Sequence, residues 1–381
     1  MTTSRPLGLY IHIPFCERKC NYCDFVSFAG CDEAARDAYI DALCREIDER
    51  AGEFRESHRV DTIFIGGGTP SLLEPAQIDH IISRIRESFD CEEPGNMEIS
   101  MEANPGSFGA EKLSGYIEAG VNRLSIGVQS LDDDVLKRLG RIHSADTARH
   151  ALRAARGSGI NYSTDIMLGV PDMSSKCFED TLEELIEMQV PHISFYSLQL
   201  EMGTPFYRDF KDGKLSLPSH ASTRAMYRRA VEMLKAAGYH HYEISNAAKP
   251  GFECRHNLKY WTMQDYLGLG MAAHSFVGGR RSFSTSNFEE YLACGADSIE
   301  FEESEIRDLK TDFVFTELRL MDGFDEGDYE MIFGSSYEED FGRVSRELES
   351  DGLLERTERG WRLSPDGVDE NYLLMERLIN E

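Results

Sequence analysis

Six β-branched or aromatic runs, each followed by a stretch with helical spacing, predict an α/β fold whose parallel βα units curl into a partial (β/α)6 barrel. Glycine and polar residues gather where the predicted strands end, and in barrels of this kind that edge carries function. A shift to acidic composition near residue 300 sets off a small C-terminal α+β domain with winged-helix-like order. Three units are therefore expected: a barrel over 1–240, an extension over 241–300 that closes it, and an acidic domain over 301–381.

The first strand is Leu9-Tyr-Ile-His-Ile13, rich in the residues that suit a pleated surface. Residues 33–55 carry apolar positions at helical spacing among charges, which predicts a long amphipathic helix on the outside of the barrel. Asp61-Thr-Ile-Phe-Ile65 is a second strand and ends in Gly66-Gly-Gly-Thr-Pro70, where absent side chains let a ligand approach the backbone. The unit then repeats as a helix over 75–89, strand Met97–Ala103, a helix over 109–119, strand Asn122–Val128 and helices within 132–157. Strands Tyr162–Leu168 and His192–Leu198, with helices over 178–189 and 219–237, complete the series. Beyond residue 300, helical spacing recurs at 303–320, 337–350 and 368–380, and Gly352–Leu363 has the form of two short strands about a turn.

The stretch that concentrates chemistry follows the first strand, where Cys16, Cys20 and Cys23 stand in a C-x3-C-x2-C pattern. Closely spaced cysteines of this kind can wrap one soft centre, and iron–sulfur clusters are held by such thiolates. Three local ligands leave one iron of a four-iron cluster open to a small chelator. Structural zinc prefers four closed ligands, and no second cysteine pair follows nearby. Cys20-x-x-Cys23 is a poor dithiol redox motif, because Asp24–Gly30 is loop-like where a helix is needed. The other cysteines have no motif about them; Cys44, on a helix, is most simply a core residue.

The charge balance, 40 basic against 68 acidic side chains for a net −28, excludes broad contact with nucleic acid or anionic lipid. Residues 301–381 alone carry a net −15. No apolar run is long enough to span a bilayer. The N-terminal residues lack the apolar core of a signal peptide, and nine cysteines in no regular pairing suit a reducing compartment, so a cytoplasmic location is expected.

Several blocks taken together resemble the radical S-adenosylmethionine (SAM) superfamily, and within it the oxygen-independent coproporphyrinogen III oxidase-like family. They are Tyr10-Ile-His-Ile-Pro-Phe-Cys16, Gly66-Gly-Gly-Thr-Pro70, Glu102-Ala-Asn-Pro105, Asn122–Gln129 and Asp165-Ile-Met-Leu-Gly-Val-Pro171, in the family's order. Tyr242-Glu-Ile-Ser-Asn246 and Arg255-His-Asn-Leu-Lys-Tyr-Trp261 are most similar to its heme chaperone HemW subfamily. The resemblance implies a [4Fe-4S] cluster on Cys16, Cys20 and Cys23, with SAM on the open iron. It implies that Tyr10, Tyr22, Gly67, Gly68 and Thr69 lie against SAM. Glu102 would meet its ammonium or ribose, Gln129 would offer an amide, Arg141 would pair with the carboxylate and Asp165 would bind ribose hydroxyls. The chemistry implied is electron transfer into SAM, with a deoxyadenosyl radical abstracting hydrogen. The last segment is similar to the C-terminal domain of the same family.

The chain departs from the oxidases at Phe25, where they carry a further cysteine, and in lacking their longer N-terminal arm. The expected function is therefore heme binding and transfer to an acceptor protein, with decarboxylation of coproporphyrinogen III as the alternative. Expected partners are heme, a heme acceptor and an electron donor such as flavodoxin or ferredoxin. A nucleic-acid substrate is disfavoured by charge. His256 of the His-Asn-x-x-Tyr-Trp block is a candidate heme ligand, as is His274 to a lesser degree; either can equally be a buried histidine that rigidifies the barrel's open side.

Overall fold

A computed structural model describes residues 4–303 and 305–379 of the chain. Its centre is six parallel strands in chain order: β1 (Arg5–Ile13), β2 (His58–Gly67), β3 (Glu98–Ala103), β4 (Arg123–Gln129), β5 (Asn161–Leu168) and β6 (His192–Ser197). Each neighbours the next, as sequential βα units do when every crossover has the same hand. β1 and β2 are buried almost end to end, and polar residues within them such as His12, His58 and Thr62 are buried as well.

The helices start where the sequence supplies a cap. Asp32 accepts from the Ala35 N–H at 2.9 Å to open helix Glu33–Phe54, and Ser144 and Ser174 do the same for helices Ala145–Ser158 and Ser175–Glu187. The predicted helical stretch within 132–157 is two helices, Asp133–Leu139 and Ala145–Ser158, because Gly140 turns left-handed at φ 77° between them. On the helix predicted over 219–237, observed at His220–Ala236, Met226, Ala230 and Leu234 are buried, as core residues should be.

Residues 241–300 contribute strands to both edges of the sheet. β7 (His240–Glu243) and β8 (Asn246–Ala248) extend the β6 edge, while β9 (Tyr266–Leu269), β10 (His274–Val277), β11 (Arg280–Phe283) and β12 (Glu300–Glu302) extend the β1 edge. The twelve-stranded sheet thus ends in β12 on one side and β7 on the other, with no hydrogen-bonded pair between them among the described residues.

A second apolar core, separate from the main one, is built from Phe313, Tyr329, Tyr337, Phe341, Leu348 and Trp361 among others. Around it stand helices Ile306–Glu317, Glu326–Phe333 and Tyr337–Ser350, the hairpin Leu354–Arg356/Trp361–Leu363, and helices Pro365–Asp369 and Asn371–Ile379. The hairpin and the helices Ile306–Glu317 and Tyr337–Ser350 stand where expected, while Glu326–Phe333 is an added helix and the stretch expected over 368–380 is preceded by the short helix Pro365–Asp369. Residues 304 and 380, within the predicted helical stretches 303–320 and 368–380, lie outside the described residues, as do residues 1–3 and 381. The two cores are joined through Ile244, whose N–H donates to the Arg319 carbonyl at 3.0 Å, and through Arg319 and the buried Glu243 carboxylate at 3.3 Å. Among the described residues no helix is long and apolar enough to cross a membrane.

Candidate functional site

The C-terminal ends of the six central strands and the cysteine loop enclose one cavity. Cys16, Cys20 and Cys23 line it together with Tyr22, and so do Gly67, Gly68 and Thr69 from the end of β2. Glu102 enters from β3, Gln129 from β4, Asp165 from β5, and Arg141 from the loop after helix Asp133–Leu139. Residues spread over 150 positions meet here because each lies in the C-terminal half of a strand or follows one.

The cysteine loop is fixed without using its sulfurs. Asn21 donates from its backbone to Leu139 and from its side chain to Arg138, both at 3.0 Å, and Arg18 reaches the carbonyls of Gly140 and Arg141 at 2.7 and 2.9 Å. On the other side the Gly68 and Thr69 N–H groups donate to Ile13 and Phe15 carbonyls at 2.8 and 2.7 Å. A Cβ on Gly68 would stand 2.6 Å from the Phe15 carbonyl oxygen, so only glycine lets the turn and the loop touch. Gly68→Ala is therefore expected to lower stability by about 1–3 kcal/mol and to reduce iron loading in the same preparation, checked by thermal unfolding and iron analysis.

The thiols are half-buried and unpaired as disulfides. Thr69 Oγ1 donates to Cys16 Sγ at 3.7 Å and Arg141 Nη1 to Cys20 Sγ at 3.5 Å, so a cation already faces one sulfur. Arg141 Nη2 is tied to the Gly127 carbonyl at 2.6 Å, and its Nε is a buried donor with no partner. Across the cavity Glu102 accepts from the Gly67 N–H at 2.9 Å. Burial, with the nearby Asp165 charge, pushes the Glu102 carboxyl up to about 8, against the smaller pull of that N–H. Burial also raises Asp165, opposed by hydroxyls of Ser194 and Ser125, the latter at 3.2 Å. Gln129 holds a left-handed backbone, φ 66°, where the β4–β5 register slips, and its Oε1 accepts from Tyr196 at 3.0 Å. A non-glycine residue kept in that region at a strand end marks a position held by its surroundings.

Tyr10 projects to the same side of β1 as His12, with its hydroxyl 3.0 Å from His12 Nδ1 and the Glu102 carboxylate near enough to act on it, and it lines the neighbouring cavity. One expectation requires correction. His256 is fully buried, with Nδ1 2.9 Å from Thr62 Oγ1 and Nε2 2.8 Å from the Tyr260 hydroxyl, so neither ring nitrogen is free for a metal. Burial first, then Lys259 and Arg123, hold that imidazole neutral by lowering it to about 3. Its helix, Arg255–Trp261, is anchored by Glu98, which accepts from the Arg255 N–H at 2.9 Å. Ser125 and Tyr196 were not singled out by sequence reasoning, although both stand on predicted strands at the functional edge.

An open sheet of sequential parallel strands with a C-x3-C-x2-C loop at its functional edge is the architecture of radical SAM proteins. Residues 10–185 match the radical SAM superfamily and residues 307–369 the HemN C-terminal domain. The chain belongs to the HemW family. It is 36% identical to the heme chaperone HemW of Haemophilus influenzae, covering 99% of this chain and 98% of that one. It is 42% identical to the Escherichia coli heme chaperone HemW over 71% of this chain and 70% of that one, and 34% identical to the Bacillus subtilis protein of that name over 94% and 95%. Its fold is that of the coproporphyrinogen III oxidase HemN from Escherichia coli, a radical SAM enzyme, with a TM-score of 0.84, 24% identity, and 98% and 90% of the two chains covered. Membership of the superfamily implies a [4Fe-4S] cluster and SAM.

Proposed function

We propose that this chain is a heme chaperone that carries a [4Fe-4S] cluster on Cys16, Cys20 and Cys23, binds SAM beside it, and passes heme to an acceptor protein. The observation that carries the reading is the shared cavity, in which three thiols, an arginine with a spare donor and two carboxylates converge. These residues fit the implied groups. Structural zinc takes four closed ligands where this loop offers three cysteines. A cubane takes each thiolate on a different iron. The partnerless Arg141 Nε suits a carboxylate, Glu102 an ammonium, and Asp165 with Gln129 a ribose. Tyr22, Gly67, Gly68 and Thr69 supply wall and backbone contacts without bulk.

When bound, the cluster and SAM supply one-electron chemistry; the chain's residues hold, orient and shield them. Arg18 and Lys19 are exposed beside the cysteines, a basic spot on an acidic protein, and they suit an acidic electron donor such as flavodoxin or ferredoxin. The nine free cysteines suit the reducing cytoplasm. We divide the chain functionally near residues 240 and 300, giving cluster and SAM to the first unit and placing the acidic C-terminal unit as its partner-facing part.

Anaerobic reconstitution followed by two parallel assays tests the reading. Titration with heme is expected to build a Soret band, and coproporphyrinogen III offered with SAM and reductant is expected to remain unchanged. Conversion to protoporphyrinogen IX would reverse the choice in favour of the oxidase, whose fold this chain shares.

A further inference from the structure

A second cavity, of about 540 Å³, adjoins the first across the cysteine loop, a size within the roughly 300–1,000 Å³ of pockets for small molecules and cofactors. Phe25 and Val26 of that loop form one side and Tyr260, Trp261, Tyr266 and Phe276 another. Flat aromatic faces dominate it. Phe25 is 57% exposed, a large apolar side chain left in solvent at the mouth of this space.

The hairpin β10/β11 sets polar groups at its edge in register. His274 pairs with Phe283 and Phe276 with Arg281, so these four side chains share one face, and His274 and Arg281 are separated by two strand positions, about 7 Å. Arg281 lies over the Phe276 ring, 5.5 Å from its centroid, and pairs with Asp312 at 2.7 Å. Trp261 contributes a buried indole N–H with no partner.

Three imidazoles stand near this space. His12 has Nδ1 on Tyr10 and Nε2 on the Val26 carbonyl at 2.9 Å, and both nitrogens of His256 are likewise engaged. The His274 ring makes no hydrogen bond or ion pair among the described residues and reaches solvent at the rim.

We propose that heme sits in this cavity with His274 as an axial ligand to its iron and Arg281 and the Trp261 indole meeting its propionates. This assignment rests on the heme-chaperone reading. A planar ligand with a metal at its centre and carboxylates on one edge matches an imidazole and a guanidinium on one face, two strand positions apart, the guanidinium lying over the Phe276 ring. Phe25, standing where the oxidases have a cysteine, makes the loop side apolar. Heme then lies against the cluster loop without competing for the SAM cavity.

The test is a ferric heme titration of the cluster-reconstituted full chain and of His274→Ala, followed by the Soret band and by the low-spin signal of histidine-ligated iron. His274→Ala is expected to bind at least tenfold more weakly, to lose that signal and to regain it with added imidazole, its iron–sulfur absorbance unaltered. Phe25→Asp should weaken binding without changing the ligand signature. Heme bound by His274→Ala with the wild-type affinity and signal overturns this assignment and leaves the chaperone reading standing. A wild-type protein that takes up no heme overturns both.

Discussion

Cys16→Ser, Cys20→Ser and Cys23→Ser, made singly, are each expected to abolish iron–sulfur loading nearly completely while the protein still folds. A cubane held by three thiolates loses a corner with each change, and a serine hydroxyl, with its far higher pKa, is a poor replacement for a soft anionic ligand. The loop itself should persist. Its anchors are Asn21 on Leu139 and Arg138, Arg18 on Gly140 and Arg141, and the Gly68–Ile13 contact, none of which uses a sulfur. Only the long Thr69–Cys16 and Arg141–Cys20 contacts are disturbed. Metal-free Tm should therefore move little, by less than about 1 kcal/mol in stability. Cys294→Ser, at an exposed position on helix Phe288–Cys294, is the control that keeps full loading. Iron and sulfide analysis with the charge-transfer absorbance near the visible edge decides it. Full loading in any one of the three variants removes that cysteine from the ligand set.

The central strands were legible from their β-branched and aromatic content between helical stretches, and β1 through β6 lie within a few residues of their predicted positions. The cavity was nearly as legible. Many of its residues sit at or near strand ends, so the polar residue near the close of a strand already names Glu102 and Gln129, whereas Asp165 lies three residues before the end of its strand and was found through its motif. His256 could not be decided from its motif. Whether an imidazole ligates or packs depends on partners such as Thr62, 194 positions away, which no local pattern displays. The short helices Pro205–Lys211, Arg255–Trp261 and Phe288–Cys294 were missed because seven residues give too few turns for apolar periodicity to stand out.

Glu102→Gln is expected to stabilise the ligand-free protein and to cripple SAM binding. The Glu102 carboxyl, half-buried beside Asp165, is raised from the ordinary carboxylate range to about 8. Between those values the folded chain keeps a proton that the unfolded chain releases. Its contribution is thus fully present below about pH 4.5 and lost as pH rises through about 8, so stability falls across that window. Glutamine keeps the acceptor for the Gly67 N–H, 2.9 Å away in the parent, and cannot ionise. At pH 8.5 the variant should be more stable than the parent by on the order of 1–2 kcal/mol, discounted because the group faces an open cavity, and the gap should vanish near pH 4.5. Binding should move the other way. On the proposed assignment of the SAM ammonium to ionised Glu102, parent affinity should rise with pH toward about 8 and then level, while the variant should bind at least about tenfold more weakly with a flatter profile. Calorimetric titration of SAM into the reconstituted protein between pH 6 and 9, beside thermal unfolding of the metal-free chain, reads both. A variant less stable at every pH would show that the carboxylate is needed by the fold. One that binds SAM as the parent does would move the ammonium site to Asp165. Opposite signs for stability and affinity are what a charge held ready for a ligand predicts: without its cation, the buried carboxylate is a cost to the fold.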